Sequence, residues 1–212
     1  MSGDVLLGYI TNGNNRDEFM DSFITSILSD DAVGGYIKVN PGPLVALGRN
    51  LLTSQFLARE QEWLMMVDTD IVFSKNAVSR LLASADPVER PIMSGLYYIF
   101  EKGHKVPAAY ANVADDPGDI NLVPYDPPDE DIVAQAFAVG AGFLLVHRSV
   151  FEKIKDMSEG QPSWFREIVV DGRDFGEDMS FCLRANVAGS PIHVNTGVRV
   201  GHIKSAMLGE VT

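Results

Sequence analysis

The stretch WLMMVDTDIVF, residues 63–73, decides the fold. Its first five residues are a continuous apolar run of the kind that a parallel sheet buries on both faces under covering helices. Asp68 and Asp70 follow at once. Residues i and i+2 of an extended chain share a face, so the two carboxylates are expected to aim the same way. They stand just past the carboxyl end of a buried strand, where open α/β sheets bind ligands. Asp-x-Asp alone is a weak signal, and Asp129 and Asp131 repeat it elsewhere. The apolar strand before the pair and the capped helix after it favour a hard divalent cation that also takes diphosphate oxygens.

Upstream, residues 4–11, DVLLGYIT, read as a strand followed by the turn residues TNGN. Phe19, Phe23, Ile24, Ile27 and Leu28 then recur at helical spacing. GYIKVN is a second short strand, and Pro41-Gly42-Pro43 opens a helix whose expected core stripe is Leu44, Leu47, Leu51, Leu52 and Phe56. Downstream, Ser74 is expected to cap a helix carrying Ala77, Val78, Leu81 and Leu82, and PIMSGLYYI is expected to be one strand. This alternation is the signature of an open parallel sheet covered by helices.

The second half reads differently. AQAFAVGAGFLLVHR, residues 134–148, reads as one long apolar strand, and Ser149 with Glu152 as a capping box opening helix SVFEKI. A loop with GQPSWF, the stretch EIVVDG, helix GEDMSFCLRANVA ended by Gly189, and strands around PIHVNT and VRVGHI complete the chain. The expectation is a single α/β domain over residues 1–212, Rossmann-like and mostly parallel, with a mixed-direction C-terminal part.

At 212 residues, 46% hydrophobic and a mean hydropathy of +0.04, the composition is that of an ordinary globular protein. No window approaches the roughly 18 apolar residues of a membrane span. MSGDVLLGYITNG has neither the basic start nor the apolar stretch of a secretory leader. A lone cysteine, Cys182, fits a reducing compartment, so a cytoplasmic protein is expected. The net charge of −12 argues against nucleic acid or an anionic membrane as partner. From Val106 to His147 there is no Lys or Arg, while Asp115, Asp116, Asp119, Asp126, Asp129, Glu130 and Asp131 fall there among several prolines. That segment reads as a solvated loop, or as a flap over a site.

Glu177 and Asp178 stand in the first turn of the last helix, where the macrodipole favours negative charge. His202 follows a strand and a glycine, where an imidazole can complete a metal shell, with His193 as a strand-embedded competitor.

In order and spacing, VLLGYIT, GRNLL, WLMMVDTDIVF, VGAGFLLVHRSVFE, GEDMSF and VGHIK resemble glycosyltransferases of the A-type fold. The likeness is strongest to the inverting family-2-like group and its short single-domain members in phage and bacteria. It spans nearly the whole chain, with residues 1–100 as the nucleotide-sugar half and 101–212 as the acceptor and catalytic half. The resemblance implies Asp68 near the ribose and diphosphate, Asp70 as a direct metal ligand, and His202 joining that shell. It implies Asp178 as general base beside Glu177, and Thr11, Asn40 and Arg49 on the nucleotide side. Gly140 and Gly142 match a close backbone approach beside the donor sugar. The first strand ends in Ile-Thr where many members have Pro-Thr, and only ten residues follow His202. Acceptor recognition is then expected from residues 101–134, from GQPSWF, or from a partner subunit.

The implied reaction moves a sugar from a UDP- or GDP-sugar to a carbohydrate or protein hydroxyl with Mn²⁺ or Mg²⁺, by inversion if Asp178 lies opposite the leaving group. For a phage-encoded chain the setting is the host cytoplasm. Base, sugar, acceptor and oligomeric state stay open. A haloacid dehalogenase-like phosphatase is the sharpest rival: VDTDIV fits its nucleophile motif, Ser94 a second motif and GED a metal acid. Two complete β-α units precede the motif here, however, where that family normally has it on the first strand. TNGNNRDEF is a poor version of a pyrophosphorylase phosphate loop. A non-catalytic nucleotide-sugar-binding module is the remaining alternative.

Overall fold

In the computed structural model, which describes residues 3–101, 103–116, 119–125, 128, 130–158 and 163–204, the first half alternates strand and helix. Strand β1 (Val5–Ile10) leads through helix α1 (Asp17–Ser29) to β2 (Val33–Val39), and α2 (Val45–Leu57) returns the chain to β3 (Trp63–Val67). The short β4 (Ile71–Val72) and helix α3 (Ala77–Leu82) precede β5 (Ile92–Leu96). Then come β6 (Tyr98–Glu101), β7 (His104–Pro107), β8 (Ala109–Asn112), β9 (Leu122–Pro124), β10 (Val133–Ala136), β11 (Ala138–Val139) and β12 (Phe143–His147). Helix α4 (Arg148–Asp156), β13 (Ile168–Val170), β14 (Arg173–Phe175), helix α5 (Glu177–Val187), β15 (Ile192–Arg199) and β16 (Gly201–His202) complete the order.

The main sheet has seven strands in the order β10-β15-β5-β12-β3-β1-β2. Strand β1 pairs in parallel with β2 and β3, and β15 with β5, whereas β12 runs antiparallel to β3 and β5, and β10 to β15. The result is a single α/β domain around a mixed sheet. The apolar run of β3 is buried at every residue and divides by period two between the sheet's faces. Leu64 and Met66 pack with Phe56, Phe151, Ile154 and Phe181 under α2, α4 and α5. Trp63, Met65 and Val67 pack with Phe19, Phe23, Val78 and Leu81 under α1 and α3. Among the described residues no helix is long and apolar enough to cross a membrane.

Several local expectations are corrected. The stripe on α2 is rotated: Leu52 and Phe56 are buried, but Leu44, Leu47 and Leu51 face outward, and Gly48, Arg49 and Thr53 take the inner positions. A charged residue can sit there because carboxylates meet it, as described below. On α1, Phe19 and Phe23 are buried while Ile24 and Leu28 are exposed. PIMSGLYYI breaks at Tyr97 between β5 and β6, and the apolar run 134–148 is divided among β10, β11 and β12. The chain leaves the main sheet at Phe137, pairs as β11 with β8, and returns to the main sheet through Gly140-Ala141-Gly142. Ser149 is not the cap of α4; the His147 side chain accepts from the Ser149 N–H instead, and Glu152 pairs with Arg148 at 3.8 Å. Asn76, without a side-chain cap bond, replaces Ser74 ahead of α3. VRVGHI is divided: Val198 and Arg199 close β15, and Gly201–His202 form β16 against β4. Within the acidic segment, β8 pairs with β9 and β11, and Tyr110, Leu122 and Tyr125 pack on the core. Asp126, Asp129 and part of GQPSWF, residues 160–162, lie outside the described residues.

Phe151 touches Phe56, Phe181 and Trp164 at ring-centroid distances of 6.0, 5.8 and 6.2 Å, with none of its surface exposed. Phe151→Ala is therefore expected to cost about 3–5 kcal/mol in urea unfolding. Leu28→Ala, on the outer face of α1, is expected to stay within about 0.5 kcal/mol of wild type.

Candidate functional site

The site is built around a guanidinium that the fold buries. Arg49 comes from the inward face of α2 with only 4% of its surface exposed. Its Nη2 donates to Asp68 Oδ1 and Oδ2 at 3.1 and 3.3 Å, its Nε to Glu177 Oε1 at 3.1 Å, and its Nη1 to the Ala141 carbonyl at 2.9 Å. One side chain thus joins α2, the turn after β3, the β11–β12 turn and the start of α5. Burial alone would lower the Arg49 pKa, but Asp68, Glu177 and Asp178 outweigh it and hold the guanidinium above its ordinary value.

The two aspartates of the motif do not aim together, contrary to the expectation from strand geometry. Strand β3 ends at Val67, and residues 68–70 turn, with the Ile71 N–H bonded to the Asp68 carbonyl at 3.1 Å. A turn does not keep the period of two. Asp68 therefore faces Arg49, while Asp70 faces the other end of the chain. Asp70 Oδ2 lies 3.0 Å from His202 Nε2 and 2.9 Å from Lys204 Nζ, and the Ile203 N–H donates to the Asp70 carbonyl at 2.8 Å. Pairing of β16 with β4, His202 opposite Ile71, sets this closure. Burial raises the Asp70 pKa, but Lys204 and His202 prevail and hold it below the ordinary carboxylate value.

His202 Nδ1 faces the Tyr98 carbonyl at 2.9 Å. A carbonyl only accepts, so Nδ1 donates to it, and Nε2 is turned to Asp70 Oδ2. Two ligands at right angles and about 2.1 Å from an octahedral cation stand about 3.0 Å apart, which matches the Asp70–His202 separation. The pair fits a divalent cation. Among the described residues no three of His, Cys, Asp and Glu form a group that could hold a metal ion.

Tyr97 links the two clusters and was not evident in the sequence. Its ring stands edge-on to the His202 imidazole, centroids 5.6 Å apart, and its hydroxyl accepts the Gly142 N–H at 3.0 Å. Burial, then the Asp68 charge, hold that phenol above its ordinary range. A Cβ on Gly140 would strike the Tyr97 hydroxyl, and one on Gly142 would come within 3.0 Å of it. The two glycines thus make room for Tyr97.

Thr11 is buried at the end of β1, bonding Asn15 Oδ1 and the Gly13 N–H, and it lines a cavity of about 300 Å³ with Asn12, Gly42, Pro43, Asp68 and Asp70. Asn40 sits close by in sequence but turns its Oδ1 to the Gly42 N–H at 3.2 Å. At the first turn of α5, Asp178 Oδ1 accepts the Met179 N–H at 2.8 Å, and no other hydrogen bond to its carboxylate is seen among the described residues. Burial and then the neighbouring Glu177 raise its pKa, against the pull of Arg49. Ser94, the rival motif's serine, is buried in the sheet with its hydroxyl on the Gly95 carbonyl, away from this edge. His193 lies in β15, its Nδ1 buried without a partner.

With this geometry in hand, two solved structures are informative. The crystal structure of A197 from STIV superposes with a TM-score of 0.65 at 18% identity, over 95% of this chain and 86% of that one. GalNAc-T7, solved with UDP, GalNAc and Mn²⁺, superposes with a TM-score of 0.56 at 13% identity, over 94% of this chain and 44% of that one. The likeness is one of fold. It is the mixed-sheet α/β fold of A-type glycosyltransferases, and the chain spans less than half of GalNAc-T7. No family model and no curated protein matches the sequence.

The raised Asp178 carboxyl has a thermodynamic consequence. Its folded pKa exceeds its unfolded value of about 3.9, so between the two the folded state holds a proton that the unfolded state has released. Stability falls as pH rises through that interval, and the full penalty is present above the folded pKa. Asp178→Asn carries no such penalty. Its Tm is expected to exceed wild type most at neutral pH, with the gap narrowing toward pH about 4. A pH-independent difference in thermal melts would contradict this.

Proposed function

We propose that the protein is a cation-dependent glycosyltransferase that moves a sugar from a nucleoside diphosphate sugar to an acceptor hydroxyl with inversion. The observation that carries the reading is the convergence, at one sheet edge, of the Asp70–His202 pair with the Arg49–Asp68–Glu177 cluster and Asp178. The fold shared with GalNAc-T7, which was solved with UDP and Mn²⁺, supports it.

Asp70 and His202 would hold a divalent cation, Mn²⁺ or Mg²⁺, which when bound offsets charge growing on the leaving diphosphate. The cavity lined by Thr11, Asn12, Gly42 and Pro43 opens onto Asp68 and Asp70 and takes the nucleoside side of the donor. Arg49 fixes Asp68 toward that donor. It also ion-pairs with Glu177, whereas Asp178 has no ion-pair partner among the described residues and accepts the Met179 N–H. Asp178 takes the proton of the acceptor hydroxyl as that oxygen attacks the anomeric carbon. Its raised pKa makes it a better proton acceptor than an ordinary aspartate. The cluster holds three carboxylates against one guanidinium, which favours a cationic ligand.

The test separates binding from transfer. Asp70→Ala is expected to abolish Mn²⁺-dependent UDP or GDP binding by calorimetry while keeping the fold. Asp178→Asn is expected to bind donor normally and to lose transfer by roughly 10²–10⁴-fold. Nucleotide binding that ignores both EDTA and Asp70→Ala would refute the cation assignment. Full transfer by Asp178→Asn would refute the base. Normal donor binding without transfer or donor hydrolysis, across acceptor panels, would favour a binding module.

A further inference from the structure

We propose that Lys204 is a resident counter-ion of the cation site: its ammonium holds Asp70 in the cation-free protein, yields to the divalent ion, and then pairs with the diphosphate. The inference deepens the reading above and rests on it. Asp70 Oδ2 meets two nitrogens, His202 Nε2 at 3.0 Å and Lys204 Nζ at 2.9 Å. Both contacts converge on that one oxygen. A cation bound there sets a second positive charge against the ammonium, and the two repel.

The two partners are not equally movable. His202 is anchored from two further sides, by the Tyr98 carbonyl at 2.9 Å and by the Tyr97 ring, and its side chain is only 10% exposed. The Lys204 side chain is 50% exposed and bonds Asp70 alone among the described residues. Its four-carbon stem carries the charge on several rotatable bonds, so the ammonium can leave without moving the backbone. Lys204 therefore yields. Once the cation is in place, a bound diphosphate brings several anionic oxygens to the same spot. The released ammonium, tethered two residues from His202, is a mobile positive charge in position to receive them.

The arrangement couples cation and donor. With Lys204 on Asp70 the site is neutralised, so the cation alone binds weakly. Donor binding draws the ammonium away and strengthens the cation, and linkage makes the effect mutual. The sequence carried this signal in VGHIK, where Lys204 follows His202 at the same-face spacing of an extended chain.

The experiment measures Mn²⁺ binding to the whole chain, from the electron paramagnetic resonance of free Mn²⁺, and UDP binding at saturating Mn²⁺. Wild type is compared with Lys204→Met and with Lys105→Met, the latter removing a charge that rests on the Tyr98 ring and not on Asp70. Circular dichroism melts verify folding. Lys204→Met is expected to bind Mn²⁺ alone about tenfold more tightly and to bind UDP about tenfold more weakly, the size of a charge-assisted hydrogen bond. Lys105→Met is expected to move both by less than twofold. Mn²⁺ affinity equal in wild type and Lys204→Met, or equal shifts in both lysine variants, overturns this inference alone. Absence of Mn²⁺ binding in all three proteins, with or without UDP, overturns the cation reading and this inference with it.

Discussion

The structure depends on burying one positive charge. Arg49 occupies a position that the apolar spacing of α2 would give to leucine, and desolvating a guanidinium there is costly unless every side is paired. Asp68, Glu177 and the Ala141 carbonyl supply that pairing. They come from three segments far apart in sequence, so the bond set works as a register pin. It sets the start of α5 against the end of β3, and therefore where Asp178 stands relative to Asp68. The same need explains the exposed Leu44, Leu47 and Leu51: turning Arg49 inward turns them out.

A second closure joins β16 to the turn after β3. Strand β16 returns the chain to β4, so that His202 and Lys204 meet Asp70. Tyr97, at the break between β5 and β6, lies between the two clusters with its hydroxyl at Gly142 and its ring on His202. Its fit against Gly140 and Gly142 gives those glycines a packing reason independent of any ligand. Tyr97 thus touches both His202 and the turn whose Ala141 carbonyl bonds Arg49.

Much of this was legible from residue order. WLMMV announced a strand buried on both faces, and the two sheet faces divide its side chains as period two requires. Asp70, His202, Asp68 and Asp178 were named from motif order, and the fold gathers them at one edge in two groups. What failed did so for tertiary reasons. Helical spacing on α2 could not reveal that carboxylates 19 and 128 residues away make Arg49 the inward residue. The shared face of Asp68 and Asp70 assumed a strand that in fact ends at Val67. An apolar run such as 134–148 carries no mark of where it leaves the main sheet, at Phe137. Tyr97 looked like one more strand aromatic, but the break between β5 and β6 sets it against His202 and Gly142.

The proposed chemistry requires a cation shared by Asp70 and His202 in the presence of a nucleoside diphosphate. The most direct measurement is pulsed electron paramagnetic resonance of Mn²⁺ bound to the protein with UDP. Nitrogen modulation from one imidazole is expected in wild type, and its loss is expected in His202→Gln with UDP still bound. A Mn²⁺ spectrum without imidazole nitrogen, or one unchanged by His202→Gln, would contradict it.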